Sequence, residues 1–469
     1  MKNRLNNSEL KREIGLFSAT ILVIANMVGT GIFTTSGFII KELGDPQTML
    51  LCWFLGGIFA LSGAFCFGEL GAMFPRAGGE YVFLRESFGK GAAFLSGWIS
   101  LIVGFSAPIA AAAIAFATYL FRLLLVPAAG FTFNIFGINI LTISTVTISA
   151  VCIIIIISTI HYHSIFLGTK VQNVLTLFKV SLIILFIIAG FVWGQGSASH
   201  FKSSFIVNTI FQDKFAVSLI FVSFAYSGWN AAAYLGGEII MPGRNIPLAL
   251  LAGTFFVMCF YLMLNVVYIY ALPATKMQGV LEVGAVSAIA LFGKDIGQYF
   301  TGAIALGLLS VLSAMIMAGP RVYYAMAKDG VFFELFGKVN ALHRTPVYSI
   351  SLQAAISILM VLTASFDALL LYIGFTLSLC ATLTVIGMMK LRFTKPELQR
   401  EYKTIGYPLT PLMFIAGNLW IIYFSIMSRP ITAIAGVGTI GFGLLVYYYF
   451  RRGKKKEKPD ESCEPPAHP

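Results

Sequence analysis

The sequence predicts an all-α polytopic membrane protein of twelve transmembrane helices, the first and the sixth broken at mid-depth. Three observations carry this reading. Of the 469 residues 58% are hydrophobic and 11% charged, with a mean hydropathy of +0.85; a soluble domain carries roughly 25% charge. The apolar residues fall into twelve runs of about the ~20 residues a helix needs to cross a bilayer. Two of these runs are interrupted by glycine-containing polar stretches, NMVGTGIF (26–33) and FAYSGWN (224–230).

The runs cover residues 14–40, 47–68, 91–126, 141–160, 171–193, 216–240, 248–272, 296–318, 347–363, 368–389, 409–427 and 431–450. They lack the in–out alternation of barrel strands. The first has no A-x-A cleavage pattern and further spans follow it, which separates it from a removed signal peptide. Twelve spans place both termini on one side. If that side is the cytoplasm it holds 24 of the 32 Lys and Arg, the opposite side holds seven, and Lys179 is left inside a span. This bias satisfies the positive-inside rule. It also accounts for the net charge of +12 without invoking nucleic acid, and the basic tail suits anionic lipid.

The polar loop 194–215 divides the chain. A cytoplasmic segment 1–13 precedes a first half of five spans (14–193). A second half of five spans (216–390) follows the loop, then two extra spans with their preceding loop (391–450) and a charged, Pro-containing tail (451–469) expected to be disordered. Five is odd, so the second half must be inserted inverted. Interrupted apolar segments at corresponding positions of two halves point to a transporter's binding site.

Unwound backbone at mid-membrane is tolerated where it lines a cavity or is buried in protein. The half-helix that starts at Thr30–Gly31 presents free N–H groups and a positive dipole end, which suit a carboxylate. Carbonyls freed near Met27 and after Phe224 suit an ammonium. A ligand with both groups, an α-amino acid, would use both ends without burying an ionised side chain. Helix packing is the competing explanation for membrane glycines, and it suits Gly56, Gly57, Gly63 and Gly68. It fits Gly29 and Gly31 poorly, because residues two apart do not share a helix face. A dinucleotide fingerprint fails, since Thr34 stands where its third glycine belongs. Gly31→Val is therefore expected to abolish ligand binding while the chain still inserts and folds.

Other chemistry is sparse. Cys52, Cys66, Cys152, Cys259 and Cys380 lie in apolar runs and Cys463 in the tail, so no extracellular disulfide is expected. The absence of C-x-x-C, H-E-x-x-H and G-x-S-x-G leaves no metal, cofactor or enzymatic nucleophile to expect. His161 and His163 read as solvated residues at a loop edge. Glu69, Glu238 and Asp367 sit near span ends, and Arg76 or Arg244 are the expected structural partners. Trp229 reads as packing or pocket wall.

Three segments, NMVGTGIF, FGELGAMFPRAGGEYVFLRESFG (67–89) and FAYSGWNAAAYLGGEIIMPGRNIPLAL (224–250), resemble the amino acid–polyamine–organocation superfamily, most closely its L-type amino acid transporter branch and bacterial relatives. GPRVYYAMAKDG (319–330) and RTPVYSI (344–350) fit the same pattern. The resemblance covers the first nine spans best. It implies a LeuT-like five-plus-five inverted repeat with two added helices. It further implies that Gly29, Thr30 and Gly31 hold the substrate carboxylate and that carbonyls of Met27, Phe224, Ala225 and Ser227 hold the amine. Phe224 would gate the pocket, with Tyr226 and Asn230 facing it.

Lys179 stands in VQNVLTLFKVSLIILF on a polar stripe with Gln172 and Thr176. It lies roughly 12 Å into its span at helical rise, too deep to snorkel readily, and an intramembrane lysine is a functional hypothesis by default. The resemblance implies that its ammonium replaces the sodium ion of coupled relatives, reaching carbonyls of the first half-helix together with Ser310 or Ser313, or that it couples a proton. The resemblance also implies a sodium-independent carrier of neutral L-amino acids working by alternating access, as an exchanger or with protons, in the cell membrane. A cationic amino acid or polyamine permease is the alternative within the superfamily, and an amino-acid-sensing membrane receptor the alternative outside it. Heteromeric members carry a cysteine between spans three and four. The loop here, VPAAGFTFNIFGIN, has none, so the expected partners are substrate and lipid bilayer, with no disulfide-linked glycoprotein subunit.

Overall fold

The computed structural model describes residues 12–456 except 13, 77, 126, 128, 136–137, 164, 203–209 and 339–344; among side chains, 134–140, 165–173 and 451–456 are also outside the description. Residues 1–11 and the tail beyond 456 therefore lie outside the described residues, as does the side chain of Gln172.

The helices in chain order are α1 (Leu16–Met27), α2 (Thr30–Leu43), α3 (Pro46–Met73), α4 (Glu80–Phe88), α5 (Lys90–Ile99), α6 (Ala107–Leu124), α7 (Thr145–His163), α8 (Ile165–Val192), α9 (Asp213–Tyr226), α10 (Ala231–Tyr234), α11 (Pro242–Ala271), α12 (Ala274–Met277), α13 (Val283–Phe292), α14 (Lys294–Lys328), α15 (Val347–Thr363), α16 (Phe366–Thr394), α17 (Leu409–Ser428) and α18 (Pro430–Lys456). Among the described residues nine helices are long and apolar enough to cross a membrane, counting α5 and α6 as one, and α1 with α2 form a tenth span bent by 41°. α9, at 14 residues, and α15, at 17, fall short of that length. The outward side chains of α7, α8, α17 and α18 are large and apolar, as with Ile155, Leu185, Tyr423 and Leu445. That is the surface a bilayer's hydrocarbon requires.

Local sequence sets the element ends. Asp45 caps α3, its Oδ2 accepting from Thr48 N–H at 2.8 Å, with Pro46 in the first turn, where a missing N–H has no cost. The third apolar run is not one regular helix. Between α5 and α6, Ser100–Ser106 form a π-helix that ends just before Pro108; an inserted residue in a helix widens the turn there. The fourth run starts later than its sequence suggests. Residues from 141 to 144 belong to β2 (Ile138–Ser144), which pairs antiparallel with β1 (Gly130–Ile135) in a hairpin. The hairpin departs from the purely helical expectation.

Among the helix contacts of the interior, α2 packs on α9, α3 on α11, α6 on α14 and α7 on α15. Glycines of α3 serve these contacts, as packing predicts. A Cβ at Gly57 would meet Met258 Cγ at 2.6 Å, and one at Gly63 would meet Trp229 at 2.7 Å. The acidic pairing differs from expectation. Buried Glu69 is held by Arg392, by Arg400 at 3.4 Å and by Thr404 N–H at 2.7 Å, while Arg76 faces Glu86. Residues beyond position 390 supply these partners, so the loop after α16 is anchored to α3.

Candidate functional site

The two interrupted spans come apart where glycine weakens them. α1 ends at Met27 and α2 begins at Thr30, with no side chain capping the new helix start at Gly29. α9 ends at Tyr226 and α10 begins at Ala231, again uncapped. The second break turns on Gly228, whose φ of +94° lies in a region L-residues rarely adopt.

The breaks touch at two points. Gly31 packs on Ala225 so closely that a Cβ at 31 would overlap Ala225 Cα and lie 2.6 Å from its Cβ. Gly228 faces Asn26, whose carbonyl oxygen would be 2.9 Å from an added Cβ. Both glycines are thus required by close approach.

A residue absent from the sequence expectations ties the breaks together. The Tyr261 hydroxyl on α11 lies 2.6 Å from Met27 O and 3.0 Å from Ala225 O, so its proton serves carbonyls of both breaks. Beneath it Trp53, Tyr226 and Tyr261 form an aromatic cluster with centroids 5.1–5.9 Å apart, and Tyr226 donates to Trp53 O at 3.2 Å. Nothing in the sequence distinguishes Tyr261 among the 19 tyrosines. Tyr261→Phe should leave a buried carbonyl without its donor, a loss of about 1–3 kcal/mol. A lowered melting temperature and weakened ligand binding are the measurements that check it.

Lys179, fully buried at the middle of α8, donates to Ala25 O in the last turn of α1 at 3.0 Å. Its stem lies beside Gly307 on α14, where an added Cβ would sit at ordinary contact distance, 3.7 Å from Lys179 Cγ. Thr176 is buried one turn earlier. The two serines are engaged elsewhere: Ser310 Oγ donates to Gly307 O at 2.9 Å, and Ser313 Oγ is 2.9 Å from His161 Nε2. His161 is accordingly not a solvated loop residue. It is 4% exposed on α7 and faces α14.

A cavity of about 570 Å³ opens beside the breaks, within the range of small-molecule sites. Asn26, Tyr226, Ser227, Gly228, Trp229 and Asn230 line it. The π-turn contributes Ser100, Gly104 and Phe105, α14 contributes Met315, Ala318 and Arg321, and α16 contributes Gly374, Leu377 and Ser378. Glu80 and Glu238 also line it, on the face where the chain begins, since Ile14 N–H donates to Glu238 O at 2.9 Å. Met27, Gly29, Thr30, Gly31, Phe224 and Ala225 are not in the lining; they sit buried where the breaks meet. The wall near the breaks is neutral and its charges stand at one end. Such a pocket offers a mostly apolar wall to a ligand's side chain.

The family model for amino acid permeases matches residues 14–448. The serine/threonine exchanger SteT of Bacillus subtilis (strain 168) is 30% identical over 457 residues, covering 96% of this chain and 98% of its own. The b(0,+)-type amino acid transporter 1 of Mus musculus is 28% identical over 469 residues, covering 97% and 92%. The large neutral amino acids transporter small subunit 2 of Mus musculus is 27% identical over 449 residues, covering 94% and 81%. These relatives are transporters and not enzymes, and with the family model matching nearly the whole chain, the protein belongs to the amino acid permease family of the amino acid–polyamine–organocation superfamily.

Proposed function

We propose that the protein is a sodium-independent secondary transporter of neutral L-amino acids, working by alternating access in the cell membrane with both termini cytoplasmic. The observation that carries this is the meeting of the two breaks, with the Lys179 ammonium on a carbonyl of α1. A fixed cation there neutralises the same half-helix end that a bound sodium ion would, so the cycle does not need the ion. The first-turn N–H groups of α2 would take the substrate carboxylate, and the carbonyls of Met27, Phe224, Ala225 and Ser227 its ammonium. Tyr226 and Asn230 would face the substrate and Phe224 would gate it.

The twelve-span inverted repeat completes this reading, with α9–α10 as the sixth span and α15 as the ninth. The pairing of α2 with α9, α3 with α11, α6 with α14 and α7 with α15 supports it, because a two-fold axis in the membrane plane brings together those counterparts that lie near it. Neutral substrates come first because the residues of the breaks that line the cavity, Asn26, Tyr226, Ser227, Gly228, Trp229 and Asn230, bring no charge.

Uptake of serine or leucine into proteoliposomes should be unchanged when choline replaces sodium, and a strict sodium requirement would overturn the proposal. Counterflow that depends on internal amino acid would assign exchange, and uptake driven by an acid-outside gradient would assign symport.

A further inference from the structure

The charged end of the cavity holds a carboxyl that no ion pair accounts for. Glu80 opens α4, lines the cavity, is 6% exposed, and joins none of the ion pairs among the described residues. The loop before it is fastened to the short helix after the second break. Gly78 N–H donates to Tyr234 O at 3.0 Å, and the Tyr234 ring covers Gly79 so closely that a Cβ there would meet it at 2.8 Å. The Tyr234 hydroxyl donates to Glu80 Oε2 at 3.5 Å, and the Asn230 side chain reaches the same hydroxyl. A polar chain therefore runs from Asn230, at the second break, through Tyr234 to Glu80.

We propose that Glu80 is a proton-binding site of the transporter, filled from the cytoplasmic face and read at the second break through Tyr234 and Asn230. The proposal rests on the transport reading above and adds a ligand to it.

A buried carboxylate with no cation beside it is costly, and taking up a proton removes the cost. Burial lifts the Glu80 carboxyl from its ordinary range to about 7. The groups facing it do not offset this. Tyr234 of α10 gives one long hydrogen bond, and Cys380 of α16 is the other titratable neighbour. Arg321 of α14 interacts with Glu238 across the same cavity. On α4 itself Arg85 and Tyr81 hold Asp329 of the segment after α14, and Arg76 faces Glu86. Lys390 of α16 donates to Ser87 O.

The sign follows. Proton binding stabilises the arrangement seen here, so acidifying the cytoplasmic face through about pH 7 populates it. A conformation that hydrates the carboxylate gives the proton back to water. The proton moves between cavity water and Glu80 Oε2. Protonation turns Glu80 from acceptor to donor, which frees the Tyr234 proton to turn toward Asn230.

Infrared titration of the purified full-length protein tests the site without requiring transport. A protonated-carboxyl stretch should vanish between about pH 6 and about pH 8 in the wild type and be missing from Glu80→Gln. Identical pH-difference spectra for the two proteins would overturn the proposal. Tyr234→Phe removes the donor to the carboxylate and should move the titration to higher pH; an unmoved midpoint would overturn the relay. In proteoliposomes, exchange should change several-fold with internal pH in the wild type and be flat in Glu80→Gln. An equal response in both proteins would again count against Glu80. Should no transport occur at any pH, the infrared band still decides the proton site, and that failure falls on the transport reading alone.

Discussion

Gly31→Ala is expected to weaken amino acid binding by about 100-fold, or roughly 2–3 kcal/mol, the upper part of the range for overpacking a filled interior. The reason is geometric. The added methyl would occupy the space of Ala225 Cα and Cβ, so part of the obstacle is backbone and no side-chain rotation relieves it. α2 must back away from α9, which separates the N–H groups of α2 from the carbonyls of the second break. Valine would force a larger separation and so would disturb folding as well as binding, beyond what the sequence implied for that substitution. Pairing Gly31→Ala with Ala225→Gly removes the Cβ from the opposing side and should recover part of the loss. Isothermal titration of the four proteins in a double-mutant cycle gives the coupling. Additive losses would show that the contact at Ala225 is not the cause.

Lys179→Ala is expected to reduce transport by roughly 10- to 100-fold, the equivalent of about 1.5–3 kcal/mol for a hydrogen bond to a charged group. It strips the donor from Ala25 O and leaves a void between α8, α1 and α14. Lys179→Met fills that void without restoring the charge. If packing alone mattered, the methionine variant would transport like the wild type. If the ammonium matters, alanine and methionine fail together. Lys179→Arg should not rescue, because a planar fork does not match a single carbonyl that a compact ammonium reaches. Initial rates in proteoliposomes, beside melting temperatures for all three variants, separate lost function from lost fold.

The breaks were legible because glycine and polar residues inside an apolar run have few structural uses. G-T-G and S-G-W-N marked the positions where α1 gives way to α2 and α9 to α10. The depth of Lys179 was legible for a similar reason, since a single charge in a long apolar run stands out. What the sequence hid lies mostly in long-range pairing. Glu69 meets Arg392 and Arg400 across more than 300 positions, and no periodicity connects residues that far apart. His161 looked like a loop residue because it ends an apolar run; its partner Ser313 comes from a helix packed alongside in space. The π-turn at Ser100–Ser106 has unexceptional helix residues, with only Pro108 downstream as a trace. The hairpin leaves a trace in the sequence: GFTFNI alternates apolar with small or polar residues, the period-two signature of a strand.

Tyr261 has a consequence rooted in proton arithmetic. Its hydroxyl carries one proton and faces two carbonyl oxygens, one from each interrupted span. It can satisfy either fully or both poorly, so the empty protein is frustrated by one acceptor. An ammonium carries three N–H donors. On the proposed reading, a substrate amine arriving between the breaks meets an acceptor already stripped of water and short of a partner. The resting protein would then be set against its own empty state, and binding would settle a quarrel that the tyrosine can only divide.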